Sequence, residues 1–94
     1  MDCRHLHFSR HAFERMFQRG IDPDAVAQVV SSGEVIANYP DDQPFSSSLI
    51  LGFHGGHPVH AVVARDPLTS DCYLVTIYRP DPVNWDESFN KRRS

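Results

Sequence analysis

Three side chains near the start of the chain share a spacing that suits anion chemistry. His11, Arg15 and Arg19 fall at i, i+4 and i+8, so in a helix they lie on one face. Cationic groups in such a row repel unless carboxylates or an anion sit over them. A solvated face paired with Glu14 and an anion-binding face both satisfy the pattern. A second set lies further along. His60 interrupts an apolar run, with Val59 and Ala61 on either side, and Thr76 and Tyr78 alternate onto one face of a strand that ends at Arg79. His60 is either a satisfied core histidine or a site residue. Histidine titrates near neutrality and can act as acid or base. Together these types fit acid–base chemistry on a phosphodiester. That reaction needs a base, an acid and cations to carry the phosphorane charge. His11 and His60 are the candidates for proton transfer, with Tyr78 and Arg15 beside them. Arg19, Thr76 and Arg79 are the candidates for holding substrate. Whether His11 and His60 meet is a matter of the fold.

Other chemistries find less support. His5, His7 and His11 cluster, as do His54, His57 and His60, but neither set has a metal spacing such as a helical His-Glu-x-x-His, so no metal is expected. No glycine-rich phosphate loop and no nucleophile elbow is present, and no cofactor is expected. Cys3 and Cys72 are too few for a disulfide framework. They are expected to be free thiols in a reducing cytosol.

The elements that must position these residues are legible from their punctuation. Leu6 and Phe8 alternate with His5 and His7, which makes residues 4–8 a candidate edge strand. Ser9 is placed to cap a helix over 10–19, with Ala12, Phe13, Met16 and Phe17 as its apolar stripe and Gly20 past its end. Asp22-Pro23 starts a second helix that runs to about Ser32, buries Val26, Val29 and Val30, and stops at Gly33. Only Gly20-Ile21-Asp22 separates the two, which predicts a tight helical hairpin. Strands follow over 34–39, 48–54, 59–64 and 72–78. Gly55-Gly56 makes a compact turn between the middle two. That turn would place His60 opposite Leu51, and near Thr76 or Tyr78 on the last strand. Pro80-Asp81-Pro82 breaks the pattern, and 83–89 reads as one or two helical turns. Trp85, the single tryptophan, is expected to anchor against the sheet. Residues 90–94 read as a frayed tail. The expected fold is α+β, with an N-terminal helical hairpin on an antiparallel sheet of four strands and residues 4–8 as a candidate fifth.

With 94 residues the chain is too short for two ordinary domains, so one domain over 1–94 with a core over 5–89 is expected. Hydrophobic content of 40% and charged content of 22% exclude a disordered or fibrous class. No apolar run approaches the roughly 20 residues of a membrane helix, and the first ten residues lack the apolar segment of a secretory signal. A cytoplasmic protein is expected. The net charge of −3 is unusual for a nucleic-acid binder. Its distribution matters more: eight of the nine basic residues are arginine, and Arg4, Arg10, Arg15 and Arg19 crowd the N-terminal part. Arginine suits bidentate phosphate recognition.

Three strings carry a resemblance. Residues 9–21, SRHAFERMFQRGI, resemble the opening motif of the domain of unknown function family 4258. Residues 58–63, PVHAVV, resemble its central strand with a histidine between hydrophobic residues. Residues 75–81, VTIYRPD, with Trp85 downstream, resemble its closing motif. The resemblance spans about residues 5–86 and implies a RelE/ParE-like fold of the kind found in metal-independent bacterial ribonuclease toxins. It also implies a neighbouring antitoxin carrying a zinc-finger segment as partner. The function expected on both grounds is a toxin-like endoribonuclease. Two alternatives stand beside it: a non-catalytic module that docks a protein or a small anion, and an assembly protein whose histidines are structural.

Overall fold

A computed structural model describes residues 1–91 of the chain; most of the tail expected over 90–94 lies outside the described residues. The fold is α+β: two helices and a five-stranded mixed sheet, in the order β1 (Leu6–Phe8), α1 (Arg10–Gln18), α2 (Pro23–Ser32), β2 (Glu34–Tyr39), β3 (Ser47–His54), β4 (His57–Arg65) and β5 (Cys72–Tyr78).

The helix boundaries follow local chemistry. The Ala12 amide donates to Ser9 Oγ at 3.0 Å, which caps α1, and Gly20, at φ +65°, supplies the left-handed turn after its last residue. The Ala25 amide donates to Asp22 Oδ1 at 2.7 Å, which caps α2 next to its proline. Gly33 has a different reason to be glycine. Its φ is ordinary, but a Cβ there would lie 2.4 Å from the Val29 carbonyl oxygen and 2.6 Å from Ile50 Cγ2. The chain passes from α2 into β2 through a gap that admits no side chain.

The strand order is β1-β5-β4-β3-β2. Gly55 and Gly56, both at positive φ, close the β3–β4 hairpin and fix its register, with Leu51 opposite His60. On β5, His60 faces Tyr78 and Val62 faces Thr76. A bulge between Val62 and Val63 leaves Val75 as the extra residue. β1 lies beside β5 and runs parallel to it, Leu6 against Cys72 and Phe8 against Leu74. The all-antiparallel sheet expected from the sequence is therefore corrected: the two helices carry the chain from β1 at one edge to β2 at the other, and the antiparallel run β2-β3-β4-β5 returns across the sheet so that β5 meets β1 in parallel.

Both helices cover one face of the sheet, α1 over β5 and α2 over β3 and β4. Ala12, Met16, Val26, Val29 and Val30 meet Ile50, Val59, Ala61, Val63, Leu74 and Ile77 in one buried core. Two of the expected core residues are not in it. Phe17 is 72% exposed and Phe13 is 40% exposed. α1 rests on β5, next to the short edge strand, so only the Ala12–Met16 side of its stripe reaches the sheet. Phe13 instead meets Phe8 and Phe17 edge-on, at ring-centroid distances of 6.4 and 5.1 Å.

The expected free thiols are also corrected. Cys3 and Cys72 form a disulfide, and it ties the N-terminal segment to β5 across 69 residues of sequence. Arg65 supports the same junction, donating to the Asp2 carbonyl and to Ser70 Oγ, each at 2.9 Å. Residues 81–91 form turns and no helix. The Val83 amide donates to Asp81 Oδ1 at 2.9 Å, a local side-chain bond that competes with helical pairing.

Candidate functional site

Alternation along β4 decides where the sequence-derived candidates lie. Val59, Ala61 and Val63 point to the helices and the core. His60 and Val62 therefore point to the other face, and so do the residues across from them, Leu51 and Tyr78, Leu49 and Thr76. His60, Thr76 and Tyr78 come together on this helix-free face. His11, Arg15 and Arg19 sit on α1, on the far side of the sheet from them. The sheet and its core separate His11 from His60, so the two histidines do not form one acid–base pair.

The helix-free face is covered in part by residues 80–91. His60 is fully buried. Its Nε2 lies 2.8 Å from the Phe89 carbonyl oxygen and its Nδ1 lies 3.3 Å from the Tyr78 hydroxyl. A carbonyl only accepts, so Nε2 carries the proton and Nδ1 accepts from Tyr78. The Trp85 indole stands edge-on to the imidazole, centroids 4.4 Å apart and planes at 89°. Burial pushes the His60 pKa below its ordinary 6.5, and the Phe89 hydrogen bond opposes this with a smaller effect. The ring is thus held neutral in one tautomer. Its partner Tyr78 is only half-buried and carries the cluster toward the surface. Arg79, the next residue, is exposed and borders a cavity with His57, Pro58, Pro82 and Phe89.

The α1 face has a different character. His11 and Arg19 are exposed and Arg15 is half-buried, while the exposed rings of Phe13 and Phe17 lie on the same helix. Arg10 Nε donates to Glu14 at 3.3 Å, an exposed pair that offsets one charge of the patch. The surface is cationic and aromatic on a chain whose net charge is negative.

Two features of the helix-free face were missed in the sequence. Phe89 acts through its backbone carbonyl, and a main-chain contact leaves no mark in residue type. The aromatic row of His7, Tyr73 and Phe45 joins three separate segments, with centroids 4.9 Å apart for His7–Tyr73 and 5.7 Å for Phe45–Tyr73. The alternation of His7 with Leu6 and Phe8 was its one available signal. Trp85 is half-buried against His60, as its expected anchoring role requires.

No helix among the described residues is long and apolar enough to cross a membrane. No curated protein and no solved structure gives a significant match to the chain. The family model described as domain of unknown function DUF4258 matches residues 8–79, which include the α1 motif, the His60 strand and the Tyr78 strand, and the chain belongs to that family.

Proposed function

We propose that this protein is a toxin-like, metal-independent endoribonuclease of RelE/ParE-like architecture, and that its two surfaces divide the work. In this reading the helix-free face around Tyr78 receives RNA, and the cationic face of α1 receives the antitoxin. The observation that carries it is the hydrogen bond from the Tyr78 hydroxyl to a neutral, buried His60. The hydroxyl of this half-buried tyrosine, backed by a neutral imidazole, can take up the proton of an RNA 2′-hydroxyl while passing its own to His60 Nδ1. The Phe89 carbonyl, already bonded to Nε2–H, favours the imidazolium that results. The 2′-oxygen then attacks the adjacent phosphorus, and the 5′-oxygen leaves as a hydroxyl, protonated by the reverse relay from His60 Nδ1 through Tyr78, giving a 2′,3′-cyclic phosphate and restoring the neutral histidine. Arg79 is the cation nearest in sequence to carry phosphorane charge, and Thr76 shares the face of Tyr78, where it can orient substrate. His11 and Arg15 leave the catalytic assignment, Arg19 leaves the substrate assignment, and all three become docking residues.

The test is incubation of the purified, partner-free protein with single-stranded RNA in EDTA. Cyclic-phosphate ends are the expected product. Tyr78→Phe should slow their formation by about 10²–10⁴-fold, the range for loss of a general acid or base. Intact RNA in every condition would overturn the assignment.

One observation favours a second reading. His60 is buried and both its ring nitrogens are engaged, which is also how a structural histidine looks. The protein would then be a binding module without catalysis. RNA or partner binding without cleavage, together with a Tyr78→Phe variant of unchanged affinity, is the outcome that selects it.

A further inference from the structure

The helix-free face carries a cleft that the Tyr78 cluster does not use. It lies toward the β1 edge and has a volume of about 480 Å³, within the size range of small-ligand sites. Asp42, Pro44, Phe45, Ser47, Tyr73 and Val75 form most of its lining. We propose that this cleft is a nucleobase subsite that prefers guanine. The proposal rests on the ribonuclease reading for its role as the place where an RNA base is held.

The walls favour a flat ring. Phe45 and Tyr73 lie 19° from parallel, and Tyr73 and His7 lie 20° from parallel, so three rings form a continuous stack. His7 is held by Asp71, with Nε2 and Oδ2 3.2 Å apart. The stack is therefore fixed before any ligand arrives. A nucleobase extends such a stack through its π-face, which an aliphatic ligand cannot do. Val75, displaced by the β-bulge and 46% exposed, adds an apolar contact.

The rim favours a base with donors on its edge. Ser47 is buried and donates to one carboxylate oxygen of Asp42. That bond orients the carboxylate and leaves its other oxygen, and a lone pair on the bonded one, to accept. Guanine presents two neighbouring N–H groups, at N1 and N2, which suit a carboxylate. Adenine presents its amino group beside an acceptor, and uracil presents one N–H between two carbonyls. Among the described residues no basic side chain lines the cleft, so its described walls offer contacts to a base and no cation to a phosphate. The position also fits one strand of RNA. Ala64, in the lining, is four residues along β4 from His60, about 13 Å on the same face at the usual rise per residue.

The experiment is titration of the isotopically labelled protein with GMP, AMP, UMP and ribose 5-phosphate, followed by amide chemical shifts. GMP should shift residues 42–47 and 73–75, and ribose 5-phosphate should bind at least about fivefold more weakly, as expected for loss of base stacking. Phe45→Leu should weaken GMP by at least about fivefold while the spectrum stays dispersed. Asp42→Asn should remove the preference for GMP over AMP and leave stacking in place. Equal binding of GMP and ribose 5-phosphate, shifts confined to other residues, or no binding at millimolar nucleotide would each overturn the subsite. The titration needs no cleavage. A protein that binds GMP as expected but leaves RNA intact would sink the ribonuclease reading and keep the subsite.

Discussion

The Tyr78 hydroxyl donates to His60 Nδ1 across 3.3 Å, while the proton on the other ring nitrogen is committed to the Phe89 carbonyl at 2.8 Å. The C-terminal segment thereby fixes the tautomer of a histidine in the middle of the sheet, and the tautomer fixes which way the tyrosine proton points.

This arrangement has a pH signature. Burial lowers the pKa of His60 in the folded protein below the 6.5 of the free side chain. Above pH 6.5 the neutral ring is favoured in both states, and its stabilising bonds are fully present. As pH falls from 6.5 through the lowered folded-state pKa, the unfolded chain takes up a proton that the folded chain resists, so stability declines. Urea denaturation between pH 7.5 and 5 should show this decline, and His60→Gln should flatten part of it. A variant with the same pH slope as the parent would show that His60 is not the titrating group.

The core assignment separates two neighbours on α1. Met16 is 1% exposed and Phe17 is 72% exposed. Met16→Ala should cost about 2–5 kcal/mol, the range for emptying a packed core site. Phe17→Ala should stay within about 0.5 kcal/mol, as surface substitutions do. Denaturation midpoints of the two variants measure both, and a reversed order would refute the placement of the helix.

Reduction should weaken the fold. The Cys3–Cys72 bond closes a long loop and restricts the unfolded chain. In the chain-entropy model its loss costs about 4.4 kcal/mol for a loop of this length. Dithiothreitol should lower the thermal midpoint, and Cys3→Ser should reproduce the shift without reductant. Two thiols that titrate readily in the native, unreduced protein would contradict the bond.

Control should run through α1. Expression of the chain alone is expected to slow bacterial growth, and co-expression of the adjacent gene product to restore it through a direct complex. Arg15→Ala combined with Arg19→Ala should weaken that complex and make its association less sensitive to salt, because charge complementarity acts mainly on encounter. Normal growth with soluble, folded protein at high level, and no neighbour-encoded binder in a pull-down, would leave the binding-module reading in front.

The sequence was most informative where a local rule acts alone. The Ser9 and Asp22 caps, the Gly55-Gly56 turn and the pairing of His60 with Leu51 each depend on residues close in the chain, and each is found. The shared face of Thr76 and Tyr78 follows from simple alternation. What failed depends on distance. The i, i+4 stripe of α1 cannot show how far the sheet extends beneath it, so Phe17 was assigned to a core that ends at Met16. The separation of His11 from His60 depends on which face the helices choose, and either choice satisfies the pattern along β4. The Cys3–Cys72 bond and the parallel β1–β5 pair join residues 3–8 to residues 72–74, beyond the reach of any local signal.

That parallel pair has a consequence for how the protein is made. β1 is made before both helices, and its strand neighbour among the described residues, β5, is the last strand to follow. The two helices likewise leave the ribosome before any strand of the face they cover, apart from β1. α2 can bury its apolar side once β3 and β4 have been made, but α1 and β1 wait for β5, so the fold closes only after residue 78. Contacts of such long sequence separation make folding slow and leave the early segments open to capture. A partner that binds α1 could therefore engage the nascent chain well before the helix-free face exists.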